Sequence, residues 1–214
     1  MSSTHPMEWG VKPLPEQERF AALVRDVTAQ VLSLEHGNPV LDELLGTLER
    51  ARDELAGLVP AAMHPRIGRQ VHSDGRVFVD HCRDIGAFNP MFPVYTIAVE
   101  SAERACGTVN FPIAYEGPAG CVNGGFLAVF FDEVVQHHNC DVGVSGATRD
   151  FDISYRRPTP LLLDLAFEIT REVTDRVVCS EVRLLRGEDV LCSATTNAAL
   201  IERESPAVAE RRPG

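Results

Sequence analysis

The sequence contains little positive charge, and none of it is concentrated. Lysine occurs once, at Lys12, and the 20 Lys and Arg residues are outnumbered by 31 Asp and Glu residues, for a formal net charge of -11 at pH 7. Proteins bind nucleic-acid phosphates through clusters of Lys and Arg, and no basic run occurs here. We therefore expect no nucleic-acid partner.

Long apolar runs and a secretory leader pattern are also lacking. No stretch approaches the roughly 20 apolar residues that cross a bilayer. The six cysteines lack the close paired spacing of a zinc site or a disulfide framework. His137 and His138 are adjacent and point in different directions on a helix, so they predict no metal site. We expect a cytoplasmic protein with reduced thiols and no membrane association.

The 214 residues, 44% of them hydrophobic, suffice for one core domain and an extension. Residues 1–65 contain two segments with helical periodicity, and the second opens with Asn38 as a cap and Pro39 at the first helical position. The apolar positions are Phe20, Leu23, Val24, Val27 and Val31, and then Leu41, Leu44, Leu45, Leu48, Leu55 and Leu58. We expect an N-terminal helical hairpin packed on the main domain, the first helix ending at His36. The alternative is a lid or a partner-binding element.

Residues 66–205 consist of short alternating segments separated by turns, which predicts β-strands. The predicted strands are 76–80, 94–99, 105–111, 151–155, 161–170, 177–185 and 190–201. A long apolar helix lies among them, so we expect an α+β fold in which an antiparallel sheet wraps around a central helix. Residues 206–214 are expected to form a flexible tail.

Within the segment from Gly120 to Val135, residues 126–135 predict a helix with apolar residues on every side and the carboxylate of Asp132 among them. Such a helix is buried all round, so we expect Asp132 to be desolvated. Chains keep a buried carboxylate mainly where it does chemistry, although pairing with a buried Arg is the alternative. Glu133 lies about 100° around the helix from Asp132 and is expected to be an interface or solvated residue.

The start of this helix is suited to a ligand. Asn123 is a good N-cap, and Gly124 and Gly125 leave the first backbone N–H groups open to close approach. Such groups bind an anion or stabilise a developing oxyanion. With Asp132 they predict an acyl-transfer site, unless the glycines serve only for close packing against a strand.

The residues just described resemble a known family. Asn123-Gly124-Gly125 followed by Asp132 is similar to the His-Gly-Gly motif, with an Asp nine positions after the His, of hotdog-fold acyl-CoA thioesterases of the phenylacetate-pathway type. Residues 152–160 resemble the strand that follows the central helix in that family, and the resemblance covers roughly residues 89–201. It implies a hotdog fold and a homo-oligomer, either a dimer or a dimer of dimers, with active sites at the subunit interface.

The resemblance also implies roles for individual residues. Asp132 corresponds to the nucleophile or general base, and the N–H of Gly124 to the donor that polarises the thioester carbonyl. Thr148 is the nearest match to a Ser or Thr that assists the Asp or the water. Arg156 and Arg157 are expected to meet the phosphates of coenzyme A, unless they form an ordinary charged strand end. Coenzyme A is then part of the substrate, and no separate cofactor is implied.

Two departures from the family pattern matter. Asn123 replaces the motif's His and cannot carry a proton near neutral pH. Residues 115–117 stand where the family often has an Asn or Gln that binds the carbonyl. We expect a thioesterase acting on acyl-CoA or acyl-carrier thioesters. The alternatives are a non-catalytic acyl-CoA-binding or regulatory protein, and a hotdog hydratase or dehydratase.

Overall fold

The structure is a computed structural model that describes residues 15–58, 84–142, 146–174 and 176–200. Within these ranges the chain forms three α-helices and six β-strands. In chain order they are α1 (Pro15–Leu32), α2 (Pro39–Ala56), β1 (Tyr95–Val99), β2 (Arg104–Asn110), α3 (Gly124–Asp141), β3 (Gly146–Tyr155), β4 (Asp164–Val173), β5 (Val177–Arg186) and β6 (Asp189–Leu200). Short 3₁₀ turns at Ile85–Ala87 and Ile113–Tyr115 precede β1 and α3. No helix among the described residues is long and apolar enough to cross a membrane.

Three sequence predictions lie outside these ranges. They are the strand at 76–80, the boundary between residues 65 and 66, and the tail at 206–214. The division into an extension, a main domain and a tail therefore stays a prediction.

The six strands form one antiparallel sheet in the order β1-β2-β4-β5-β6-β3. β4, β5 and β6 follow one another as hairpins, and Gly187 turns the last of them with a φ of 59°. β3 crosses to the far edge of the sheet and pairs with β6. Buried and less buried side chains alternate along β4 and β5, as in a sheet with one face on the core. The predicted antiparallel sheet is confirmed.

α3 lies on the buried face of this sheet and supplies the centre of the core. Its Phe130 ring is fully buried and meets three other rings edge to face. The ring centroids of Tyr95, Phe111 and Phe167 are 6.0, 5.5 and 5.4 Å away. Such pairs add about 0.5–1.5 kcal/mol each beyond the burial of their surface. The predicted α+β fold, with a sheet wrapped around a long central helix, is confirmed.

The start of β4 differs from the prediction. The predicted strand 161–170 begins three residues too early, because residues 161–163 form a loop. The Leu161 N–H donates to the Gly120 carbonyl oxygen at 3.1 Å, and the Leu162 N–H donates to that of Phe111 at 3.0 Å. Leu162 also has a left-handed φ of 59°, which an alternating pattern does not reveal. These bonds tie the loop to the segment that leads into α3.

α1 rests on the main domain through a narrow contact. It lies against the two 3₁₀ turns, and Arg25 Nη1 donates to the Asn89 carbonyl oxygen at 3.3 Å. Ala21 is the one buried residue of this helix. The helix ends at Leu32 rather than at the predicted His36.

α2 forms as its start signals predict. Asn38 Oδ1 accepts a hydrogen bond from the Val40 N–H at 3.0 Å, with Pro39 in the first turn. No residue of α2 is buried, and Leu45 and Leu55 are about half exposed. The expected packing on the main domain is therefore seen for α1 and not for α2, because no described segment covers the apolar side of α2.

Gly107 on β2 provides a test of the core packing. A Cβ added there would collide with the Thr96 carbonyl oxygen of β1 and with the Phe167 ring. Because backbone cannot easily yield, we expect Gly107→Ala to lower the free energy of unfolding by about 1–3 kcal/mol, measured by urea denaturation. The control is Gly46→Ala, whose new Cβ would meet only the Arg50 side chain, at 3.6 Å. Equal stability of the two variants would contradict this packing.

Candidate active site

The N-terminus of α3 is held by the side chain predicted to cap it. Asn123 has an extended backbone, and its Oδ1 accepts a hydrogen bond from the Gly125 N–H at 2.8 Å. The Asn123 N–H in turn donates to the Tyr115 carbonyl oxygen at 2.9 Å. The Gly124 N–H makes no hydrogen bond within the described residues. Both glycine N–H groups were expected to be open. The cap occupies the N–H of Gly125, and the N–H of Gly124 stays open.

Tyr155 at the end of β3 accounts for glycine at position 124. A Cβ on Gly124 would lie 3.1 Å from atoms of the Tyr155 ring, which is tighter than ordinary contact. The Tyr155 hydroxyl also donates to the Gly124 carbonyl oxygen at 2.9 Å. Tyr155 was not among the site residues predicted from the sequence, although its position at the end of a strand that resembles the family's was a usable signal.

Asp132 lies about two turns after the first residue of α3 and is hydrogen-bonded to β3. The Thr148 Oγ1 donates to Asp132 Oδ1 at 2.9 Å, and Gln136 Nε2 donates to Thr148 Oγ1 at 2.9 Å. The register between β3 and β6 shifts between Thr148 and Asp150, so Arg149 forms a β-bulge. β-bulges are common next to active sites because they change the direction of a side chain. β3 also begins five residues before the predicted 151–155, and this additional length carries Thr148.

The sequence predicted that α3 would be buried on all sides. In the structure it is not. The sheet covers one face of the helix, while the other face is half-buried or exposed in the described chain. We call that face the open strip; it consists of Gly125, Ala128, Val129, Asp132, Glu133 and Gln136. The desolvation predicted for Asp132 is therefore incomplete in a single chain, because no described segment lies over the strip.

Within the described residues, Asp132 does not pair with a buried Arg, which was the alternative interpretation. The buried Arg171 on β4 instead donates from Nη1 to Asn139 Oδ1 at 3.2 Å. Within the described residues, the hydrogen bond from Thr148 is the contact that holds the Asp132 carboxylate.

In the described part of the chain, Glu133 is half-buried and its carboxyl is not paired. Burial, and then the neighbouring charge of Asp132, raise the pKa of its carboxyl from 4.5 to about 8. Its Oε2 is buried and has no hydrogen-bond partner among the described residues. The side chain is therefore mostly protonated at neutral pH, which could not be predicted from the sequence.

The two histidines of α3 face different neighbours. His137 Nδ1 lies 2.9 Å from the Tyr95 hydroxyl, whereas His138 is fully buried with Nε2 3.1 Å from the Ser101 carbonyl oxygen. Burial lowers the pKa of His138. In the part of the chain that the structure describes, no group of three or more His, Cys, Asp or Glu side chains is placed to hold a metal ion.

Arg156 and Arg157 follow β3 and are both exposed. Arg157 Nη1 lies 2.8 Å from Asp189 Oδ1, so this residue fits the charged strand end that was the alternative interpretation. Arg156 makes no ion pair within the described residues. Arg156 is thus the better placed of the two to meet an anion.

Gly124 and Asp132 do not meet within one chain. They are eight residues apart on the same helix, which places them about 12 Å apart along its axis. A single thioester carbonyl cannot contact both groups of the same copy.

The fold is similar to that of a solved thioesterase superfamily protein. The two structures superpose with a TM-score of 0.70 over 92% of this chain and 98% of that chain, at 24% sequence identity. Residues 84–200 make up little more than half of this chain, so the similarity includes the N-terminal helices as well as the sheet. The hotdog fold expected from the sequence is confirmed.

Other solved structures match over about half of the chain. One is a hypothetical thioesterase with coenzyme A from Streptococcus pneumoniae, 18% identical over 51% of this chain and 89% of that chain, with a TM-score of 0.46. Another is a putative thioesterase related to phenylacetic acid degradation from Ralstonia eutropha, 20% identical over 50% and 83%, with a TM-score of 0.43. No family model matches the sequence, and no curated protein matches it.

The raised pKa of Glu133 predicts how stability depends on pH. The folded protein holds this proton up to about pH 8, whereas the unfolded chain releases it near 4.5, so folding stability falls as pH rises between these values. We expect the thermal unfolding midpoint to fall less steeply from pH 5 to 8 in Glu133→Gln than in the native chain. At pH 8 the variant should be the more stable of the two. Identical pH profiles would show that Glu133 is ionised in the folded state.

Proposed function

We propose that this protein is a thioesterase that hydrolyses acyl-CoA or acyl-carrier thioesters to a free acid and a thiol. The observation that supports it most strongly is the half-buried Asp132 carboxylate on the open strip, held by Thr148. The Gly124 N–H at the N-terminus of the same helix is the second element of the proposal. The structural similarity to a thioesterase superfamily protein agrees with it at the level of the fold.

In this proposal the Gly124 N–H stabilises the transition state. As the thioester carbonyl is attacked, negative charge builds up on its oxygen. A backbone N–H at a helix N-terminus, supported by the helix dipole, donates to that oxygen without having to reorganise. The Asn123 cap contributes by keeping the helix start ordered through the neighbouring Gly125 N–H.

Asp132 either is the attacking group or activates it. Its carboxylate either attacks the carbonyl carbon, forming a mixed anhydride that water then hydrolyses, or removes a proton from the attacking water. In both routes the C–S bond breaks and the thiolate leaves, to be protonated as the free thiol. The hydrogen bond from Thr148 Oγ1 holds Oδ1, so Oδ2 faces the reaction.

A second copy of the chain completes the site. Since Gly124 and Asp132 of one copy are about 12 Å apart, we place Asp132 of one copy opposite Gly124 of another, with their α3 helices antiparallel. The open strip of α3 and the edge of β3 that pairs with no other described strand are the surfaces that a second copy would cover. A two-fold axis then produces two equivalent sites for each dimer.

Coenzyme A enters as part of the substrate in this proposal. Its phosphates meet Arg156, which is exposed and lies directly after Tyr155 at the end of β3. The guanidinium of Arg156 is suited to phosphate because it offers several fixed donors. Arg157 plays a lesser part, because Asp189 already neutralises it.

The second candidate is a protein that binds acyl-CoA without hydrolysing it. It is favoured by Asn123, whose side chain serves as a cap and cannot take part in proton transfer. This alternative predicts binding of acyl-CoA with no release of free thiol.

The first test replaces the proposed catalytic carboxylate. We expect Asp132→Asn to lower kcat for acyl-CoA hydrolysis by about 10²-fold or more, because it removes the nucleophile or base. Thiol release from a panel of short, medium, aromatic and long acyl-CoA esters is measured, with products confirmed by mass. Glu181→Gln, which changes an exposed carboxyl on β5, is the matched control. Unchanged turnover in Asp132→Asn would refute the assignment, and a native chain that binds the esters without hydrolysing them would favour the second candidate.

The second test asks whether each site contains two copies. Gly124→Pro removes the N–H donor at a position where proline suits a helix, and the Asn123 ψ of 134° is compatible with a following proline. Gly124→Ala is the control, because it keeps the N–H and places a Cβ against the same Tyr155 ring.

Asp132→Asn and Gly124→Pro should each be inactive alone. A mixture of the two, refolded together, should recover about a quarter of native activity, since half of random dimers are mixed and each has one intact site of two. No recovery from a mixture that is shown by mass to contain mixed dimers would place both groups of a site in the same copy.

A further inference from the structure

Gln136 extends the polar contact at Asp132 by one residue. It lies one turn after Asp132 on α3, so the two side chains share the open strip. Both point towards Thr148 of β3: Gln136 Nε2 and Asp132 Oδ1 each lie 2.9 Å from its Oγ1. One hydroxyl thus bridges an amide and a carboxylate from consecutive turns of the same helix.

The chemistry of the three groups allows one direction of hydrogen bonding. A threonine hydroxyl has one proton to donate, and an ionised carboxylate can only accept. The proton of Thr148 must therefore go to Asp132. Gln136 then has to present its NH₂ group to the remaining lone pair of Thr148, because its amide oxygen would meet an oxygen without a proton.

We propose that Gln136 is a positioning residue that acts on Asp132 through Thr148. By occupying the hydroxyl oxygen, the Gln136 amide prevents Thr148 from turning its proton elsewhere. Thr148 is thereby fixed as a donor, Oδ1 of Asp132 is always held, and Oδ2 is the oxygen left for substrate or water. This inference rests on the proposed function of Asp132 as the reacting group.

The arrangement also limits what Thr148 itself does. Its single proton is committed to Asp132, so it is not available to donate to the attacking water or to the leaving thiolate. Thr148 therefore orients Asp132. The resemblance to the family allows such a residue to assist either the Asp or the water, and this geometry favours the Asp.

Two substitutions of Gln136 test the direction of the hydrogen bond. Gln136→Met keeps the length of the side chain and removes the donor, so the Thr148 hydroxyl can rotate. We expect kcat to fall by about threefold to tenfold with KM little changed, the effect of losing one ordinary hydrogen bond. Gln136→Glu should lower kcat further, because its carboxylate accepts the Thr148 proton and places a second negative charge beside Asp132.

Coupling to Thr148 separates positioning from simple packing. We expect Thr148→Val to lower kcat at least as much as Gln136→Met, and the double variant to be no worse than Thr148→Val alone. Gln30→Met, at an exposed position of α1, is the matched control for the substitution and should leave kcat unchanged. Independent, multiplying effects of the two substitutions would overturn the proposal, as would a native kcat in Gln136→Met.

A measurement without catalysis keeps the inference distinct from the proposed function. The side-chain NH₂ of Gln136, assigned in a ¹⁵N NMR spectrum by its loss in Gln136→Met, should shift in Thr148→Val and stay in place in Glu181→Gln. An unshifted resonance in Thr148→Val would overturn the contact itself. Failure of the proposed function appears elsewhere, as absent turnover in the native chain or full turnover in Asp132→Asn.

Discussion

The packing of Phe130 against three other rings decides where the groups of the site lie. This ring is fully buried, and its edge-to-face contacts fix the rotation of α3 against the sheet. At about 100° per residue, Asp132 lies about 200° around the helix from Phe130, so burial of the ring turns the carboxylate away from the core. Gln136 follows on the same side one turn later. The open strip is thus the reverse side of the aromatic core, and any change that rotates the helix in its core moves the site as well.

The elements that depend on local pattern could be predicted from the sequence. The central helix, its Asn123 cap and the antiparallel sheet each follow from a short run of residues with a characteristic order. The half-buried position of Asp132 could not be predicted, because apolar residues all around a helix do not reveal that the sheet covers one face and that no described segment covers the other. Thr148 entered only through the resemblance to a family. Gln136 and Tyr155 were not predicted as site residues, because a glutamine on a helix or an aromatic residue at a strand end has many ordinary explanations.

Asparagine at position 123 has an electrostatic consequence for the start of α3. Its amide caps the helix through Oδ1 and stays neutral at every pH at which the protein is folded. The positive potential at this end therefore comes from the backbone alone, and it does not vary with pH as it would beside a histidine. On the open strip, Glu133 is the group whose pKa of about 8 lies near neutrality. Changes in behaviour around neutral pH should therefore be traced to that carboxyl rather than to the helix cap.

The β-bulge at Arg149 bears on how sites of this kind can be recognised. Phe151 and Ile153 of β3 pack against the core, and strict alternation would place Arg149 on the same side and turn Thr148 outwards. The register shift between Thr148 and Asp150 exchanges them, which brings the hydroxyl to the acid across a spacing of 16 residues. A chain with a regular β3 would need its hydroxyl at position 149 to reach the same point in space. Two proteins can thus hold the same pair of groups in the same geometry with spacings that differ by one residue, and a motif defined by a fixed spacing would miss one of them.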